Sequence, residues 1–275
     1  MRQLIIEKEV KNGRVTLDGK DFRYLRQVLR VRAGDMINVR LSDGALRNAT
    51  VALIDDKSRS VTLQLCADTD KAKSITRGVQ ASEIEGAASA AREYWLFQFL
   101  PRPQKFELIV RQATECGLSV IVPVIGEYTE KSSVSAMQGA KRERLDRIIK
   151  EARQQSGSPI DTKVLEPMSL EEAVEKWCAS LDQQKGVAFV LSERDDCSGN
   201  LRKEVENAAA ESEIKKVAIA VGSEGGISPD EVKYLEEKGL FTPIHFAVNI
   251  LRCETAALYG IAAVQNEINE SQVGK

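Results

Sequence analysis

Histidine is almost missing from this chain: His245 is the single one among 275 residues. A Ser-His-Asp hydrolase needs such an imidazole as its proton shuttle, and one lone histidine among Pro243, Ile244 and Phe246 disfavours that chemistry. His245 reads instead as a strand or loop residue. Cysteine is sparse and scattered. Cys66, Cys116, Cys178, Cys197 and Cys253 are odd in number and include no C-x-x-C pair, which argues against a disulfide framework and a structural zinc site. No metal is signalled elsewhere. No apolar run reaches the roughly 18 residues that span a bilayer. The opening "MRQLIIEKEV" has charges on both sides of three apolar residues, unlike a secretory signal. A cytoplasmic protein is expected.

What is present is unevenly spread. The formal net charge is only −2. Yet residues 1–60 hold 13 basic against 8 acidic side chains, a balance of +5, and residues 217–275 hold 4 against 8, a balance of −4. A basic front and an acidic back imply two jobs, with a polyanion meeting the first.

The first 66 residues read as short strands. "LIIEKEV" and "RVTL" flank Lys11-Asn12-Gly13, a hairpin signal. "DFRYLRQVLR" is helical, with Phe22, Leu25 and Val28/Leu29 on one face and Arg23, Arg26 and Arg30 on the other. "DMINVRL", "NATVALI" and "SVTLQL" return to strands. A small β-barrel with one helix closes this part. Residues 69–92, rich in Ala, Ser, Glu and Lys, read as a linker. From residue 93, strands alternate with helices, the mark of an α/β domain with a mostly parallel sheet.

One loop stands out: "VAIAVGSEGGISPDEV". A buried strand, Val217 to Val221, runs through Gly222-Ser223-Glu224-Gly225-Gly226 into a helix start. Ser228 is a good N-cap, Pro229 suits the first helical position, and Glu231 completes a capping box. The loop therefore lies at the carboxyl edge of the sheet, where ligands bind in open α/β folds. It is neither a P-loop nor a dinucleotide fingerprint, because no Gly-Lys-Ser/Thr follows and an acid stands at its centre. A structural turn and a cofactor cradle remain equally good readings of the loop alone. Downstream, "NILRCETAALYGIAAV" starts a helix whose Ala256, Ala257, Gly260, Ala262 and Ala263 permit close packing, with Arg252 and Glu254 crowded at its entry.

"GSEGGISPDE" followed by "ILRCETA" resembles the SPOUT superfamily of methyltransferases, and within it the ribosomal RNA small subunit methyltransferase E family, which makes N3-methyluridine in 16S ribosomal RNA. "YLRQVLRVRAGD", "ATECG" and "EARQQS" extend the resemblance over nearly the whole chain. It implies a PUA-like RNA-binding β-barrel over residues 1–68 and a trefoil-knotted domain over residues 93–275. It also implies S-adenosylmethionine as methyl donor, a homodimer, and the RNA of the small ribosomal subunit as partner. The donor would be held by Leu191, Gly222, Glu224, Gly225, Gly226, Ala247, Ile250 and Leu251. Glu224 would either fix its loop by accepting backbone N–H bonds or favour the sulfonium charge, and its place beside the helix start at Ser228 favours the first. Arg252 is the candidate to stabilise a uracil anion, because a guanidinium can hydrogen-bond a carbonyl as charge builds. Glu254 would orient Arg252, act as base, or cap the last helix. Arg23, Arg26, Arg30, Arg111 and Lys131 are the RNA-binding candidates, with Lys141, Arg144 and Arg147 as a second basic stripe.

The chain departs from the family pattern at several points. Phe246-Ala247 stands where Leu-Gly is usual, and Asn249, Gln112, Lys131 and Ser158 replace other basic residues. Arg23-Tyr24 replaces a His-His pair. A methyl group at Ala247 is expected to narrow the donor pocket. Other readings are a SPOUT enzyme acting on a different RNA position, such as a ribose 2′-hydroxyl, and an RNA-binding relative without catalysis.

Overall fold

The computed structural model describes residues 3–66, 92–135, 137, 140–182, 185–192 and 199–273; apart from Arg92, the expected linker lies outside them. The chain divides into two compact units, Met1–Ala87 with Gln154–Pro159, and Ala88–Arg153 with Ile160–Lys275.

In the first unit, β1 (Leu4–Ile5), β2 (Arg14–Leu17), β3 (Met36–Arg40), β4 (Leu46–Asp55) and β5 (Ser60–Leu65) form one sheet, ordered β1-β3-β4-β5-β2. Its ladders run along an open path, so among the described residues the expected barrel is a half-barrel sheet. The hairpin reading is corrected too. Lys11 and Arg14 do exchange both backbone hydrogen bonds across a tight turn, with Asn12 and Gly13 at positive φ. But β1 pairs in parallel with β3 and β2 pairs with β5, so the two strands separate at once. Alternation places Val15, Leu17, Val39, Val51, Val61 and Leu63 inside, as period-2 patterning requires. The helix α1 (Gly19–Arg23) widens into a π-helical stretch, Tyr24–Leu29, that ends with Arg30 left-handed. Widening rotates the later residues, so Phe22 and Leu25 are buried while Val28 is half exposed.

The second unit is a parallel α/β layer structure. Its strands are β6 (Glu93–Phe99), β7 (Val120–Ile125), β8 (Lys163–Val164), β9 (Met168–Ser169), β10 (Gly186–Ser192), β11 (Lys216–Val221) and β12 (Phe241–His245). They lie in the order β12-β10-β11-β6-β7-β8, with β9 beside β7, and every pairing is parallel. The helices are α2 (Pro103–Glu115), α3 (Lys131–Ser135), α4 (Ala140–Ser156), α5 (Leu170–Leu181), α6 (Leu201–Glu211), α7 (Pro229–Gly239) and α8 (Cys253–Val273).

Both sheet faces are buried, which explains the continuous apolar runs. Tyr94, Leu96, Val217, Ile219 and Phe189 face one core with residues of α2, α4, α6 and α8. Trp95, Phe97 and Phe99 face the other, with α5 and α7. On that side β10 and β11 offer Ala188, Ala218 and Ala220. These small residues leave room for an aromatic cluster: Trp95 meets Trp177 edge-on at 5.8 Å and Phe97 meets Phe241 at 5.2 Å. Such pairs add about 0.5–1.5 kcal/mol beyond the area they bury.

Candidate functional site

The carboxyl ends of β10, β11 and β12 are adjacent, because these strands neighbour one another in a parallel sheet. Their following segments line one cleft of about 780 Å³. β10 contributes Leu191 and Ser192, β11 the glycine loop, and β12 the run from His245 to Cys253.

The loop is a tight turn. Ser223 and Gly226 form a bridge, the Gly226 N–H donates to the Ser223 carbonyl at 3.1 Å, and Gly226 has φ +79°. A Cβ on Gly222 would lie 2.7 Å from the Gly226 carbonyl carbon, and one on Gly225 would lie 2.7 Å from Tyr128 Cβ. Glycine is required at both for close approach. From below, Gln98 Nε2 donates to the carbonyls of Gly222 (3.1 Å), Val221 (3.3 Å) and Phe99 (3.0 Å). Downstream, the capping box forms as expected: Ser228 Oγ accepts from Glu231 N–H, and Glu231 Oε2 accepts from Ser228 N–H. Glu231 Oε1 also accepts the Glu127 N–H at 2.7 Å, tying α7 to the loop after β7.

Of the eight donor-binding candidates, Leu191, Gly222, Glu224, Gly225, Gly226, Ile250 and Leu251 line the cleft. Ala247 does not. Phe246 and Val248 line it on either side. Glu224 does accept a backbone N–H, but not beside Ser228. Its two oxygens receive the Arg102 N–H, at 3.2 and 3.3 Å, at the start of α2. The orphan donors of a helix start attract a carboxylate, and here the helix is α2 rather than α7.

Arg252 is exposed on the cleft wall, and its carbonyl accepts from Thr255 and Ala256 at the start of α8. Glu254 stands in the first turn of α8. Its carboxylate takes a bond from Cys253 Sγ at 3.2 Å and pairs with Lys105 Nζ at 3.4 Å. Burial opposes its charge, yet its own N–H, the Cys253 thiol and the Lys105 ammonium hold it below the ordinary glutamate range. Such a group is a weak proton acceptor near neutrality. Burial, first, and the neighbouring carboxylates push the Cys253 thiol up to about 12.

Lys105, which sequence reasoning passed over, stands at the centre of these charges. Nζ lies 3.4 Å from Glu224 and 3.4 Å from Glu254. Burial alone would lower its pKa; the Cys253 sulfur and the two carboxylates raise it above the usual lysine value. Tyr128 and Tyr259 were also missed, as was Gln98. For Gln98 a signal existed, since a lone amide in "YWLFQFL" must find partners when buried. His245 ends β12, the strand placement expected, with Nδ1 3.2 Å from the Ser192 carbonyl, and it lines the cleft.

None of the RNA-binding candidates lines this cleft, and Arg23, Arg26 and Arg30 belong to the first unit. Arg23 and Arg30 are exposed, whereas Arg26 is engaged by Asp56 (3.3 Å) and by the Val31 carbonyl. In the second unit Arg111 and Lys131 are exposed, and Arg147 is exposed on α4. Arg144 pairs with Glu107 at 2.7 Å. The side chain of Lys141 lies outside the described residues.

Residues 88–265 match the RNA methyltransferase domain family, and residues 17–64 match the RNA methyltransferase PUA domain. The chain belongs to the RNA methyltransferase domain family. It is 24% identical over 267 residues to ribosomal RNA small subunit methyltransferase E 2 of Borreliella burgdorferi, covering 95% of this chain and 96% of that one. It is 26% identical over 270 residues to the Synechocystis ribosomal RNA small subunit methyltransferase E, covering 98% and 78%. The fold is shared with a ribosomal RNA small subunit methyltransferase E from Neisseria gonorrhoeae, solved bound to S-adenosyl methionine, at TM-score 0.70, 23% identity and 97% of each chain. The α/β class with an N-terminal PUA domain, expected from the motifs, therefore holds for this RNA methyltransferase. Among the described residues no helix is long and apolar enough to cross a membrane, and no cluster of metal-ligating side chains occurs.

Proposed function

We propose that this RNA methyltransferase transfers the methyl of S-adenosylmethionine to N3 of a uridine in the 16S RNA of the small ribosomal subunit. The observation that carries the donor assignment is the glycine cradle. Three strand ends open into one cleft, and Cβ atoms at Gly222 and Gly225 would collide with the cradle's own walls. Such a cleft suits a bent nucleoside recognised through backbone groups, with Leu191, Ile250 and Leu251 as its apolar contacts. When bound, the donor supplies an electrophilic methyl group on a sulfonium.

The chain's own residues then divide the remaining work. The backbone at Gly222, Glu224, Gly225 and Gly226 fixes the cofactor in place. Arg252, exposed on the cleft wall, stabilises the uracil carbonyl oxygen as the N3 proton passes to solvent water and the N3 lone pair becomes free to take the methyl, a task worth about 10²–10³ in rate for one oxyanion donor. Glu254 positions Lys105 and does not serve as base. Residues 1–68, joined through 69–92, bring RNA phosphates to Arg23 and Arg30, while Arg111 and Lys131 serve residues 93–275; Arg26 contributes only if Asp56 releases it. The active form is a homodimer of trefoil-knotted domains in the cytoplasm. Titration calorimetry with S-adenosylmethionine, followed by nucleoside mass spectrometry of methylated RNA, tests the reading. Binding with N3-methyluridine as product supports it; binding with 2′-O-methylation, or no binding by folded protein, refutes it.

A further inference from the structure

We infer that Lys105 is a positioning residue for the methyl-donor cleft, the ionic brace that holds the glycine loop and the start of α8 at the spacing the donor requires. The inference rests on the donor reading above and goes beyond it, because Lys105 belongs to neither segment. It projects from the first turns of α2 and reaches both: Glu224 in the loop and Glu254 in α8, each at 3.4 Å, with Cys253 Sγ at 3.9 Å. The two carboxylates are thus held within about 7 Å of each other, where uncompensated like charges repel strongly in a partly dry site. Glu254 is the more shielded of the two at 16% side-chain exposure, against 33% for Glu224 and 29% for Lys105.

Among the described residues, Lys105 is the one cation whose side chain lies within 4 Å of either carboxylate. Arg102 meets Glu224 only through its backbone N–H, while its side chain pairs with Glu130. Arg252 and His245 line the same cleft, and His245 is bonded to the Ser192 carbonyl. Without Lys105, the carboxylates of Glu224 and Glu254 would face one another uncompensated, and the loop and α8 would relax apart.

The test uses the full-length protein and S-adenosylhomocysteine, titrated by calorimetry between pH 5.5 and 8.5. Lys105→Met is expected to weaken binding about tenfold at pH 8, the size of a partly screened pair interaction. The ratio to wild type should recover as pH falls and a carboxylate takes up a proton. Lys105→Arg should stay within about threefold of wild type, and Lys105→Met/Glu254→Gln should regain most of the loss because the repulsion is gone. A role in folding alone would give a pH-independent loss that Glu254→Gln does not relieve, and that result overturns the inference. Equal binding by Lys105→Met and wild type also overturns it while leaving the donor reading intact. Failure of wild type to bind refutes both. Should Lys105→Met not fold, the double variant still decides, since its recovery requires charge relief.

Discussion

The glycine at 222 offers the sharpest perturbation of the cradle. In Gly222→Ala the new Cβ would sit 2.7, 2.8 and 3.0 Å from the carbonyl carbon, Cα and oxygen of Gly226. Ordinary carbon contacts are about 3.5–4.0 Å, so the overlap approaches an ångström. The atoms in the way are Gly226 backbone, clasped by the Ser223–Gly226 bridge, while Gln98 holds the Gly222 carbonyl itself. No flexible side chain can yield. Forcing a methyl into such a site costs about 1–3 kcal/mol, which corresponds to about 5- to 150-fold in affinity if the loop shifts to relieve it. Gly222→Val should be worse than Gly222→Ala. Calorimetric titration with S-adenosylhomocysteine, with thermal melting alongside, measures both effects. Gly44→Ala is the control: it has φ +84° but open space around it, in a turn of the first unit. It should cost about 1 kcal/mol of local strain with unchanged affinity. If Gly222→Ala binds within twofold of wild type, the cradle argument is wrong.

Three further outcomes are expected. Arg252→Ala should lower the methyl-transfer rate by about 10²–10³-fold while S-adenosylhomocysteine affinity stays within about threefold; equal losses in both would place Arg252 in donor binding. Glu231→Ala removes acceptors from the Ser228 and Glu127 N–H groups, at 2.8 and 2.7 Å, and should lower stability by about 1–3 kcal/mol, seen as a fall of several degrees in melting temperature. Cys253 is raised in the fold from 9.0 to about 12. Its contribution is therefore whole below pH 9 and is lost as pH rises from about 9 to about 12, at about 1.4 kcal/mol per pH unit. Cys253→Ala should accordingly flatten the alkaline limb of the unfolding curve relative to wild type, and an unchanged limb would count against the assignment.

Much of the fold could be read locally. The strand at Val217–Val221, the capping boxes at Ser169 and Ser228, and the C-terminal Gly117 of α2 with φ +77° all follow from chain-neighbour chemistry. The glycine loop's place at the carboxyl edge followed from the strand-then-helix order. What stayed hidden are long-range partners. Glu224 meets a backbone N–H 122 residues away, and nothing in "GSEGG" says which helix start it will find. Lys105 looked like one more surface lysine because the two acids that bracket it come from distant segments. The turn at Asn12-Gly13 was legible, but the partners of β1 and β2 were not, since strand pairing is decided by which sheet edge each run can cover. Likewise the arginine stripe of α1 presumed a regular helix, and the π-helical widening with the Asp56 contact redirected Arg26.

The central claim is the identity of the atom that receives the methyl group. Small ribosomal subunits lacking the modification would be incubated with the protein and isotopically labelled S-adenosylmethionine, and the 16S RNA digested to nucleosides for mass spectrometry. The account predicts label in N3-methyluridine, about one per RNA, lost with Gly222→Val. Label in a ribose 2′-O-methyl nucleoside, or none while the donor binds, would contradict it.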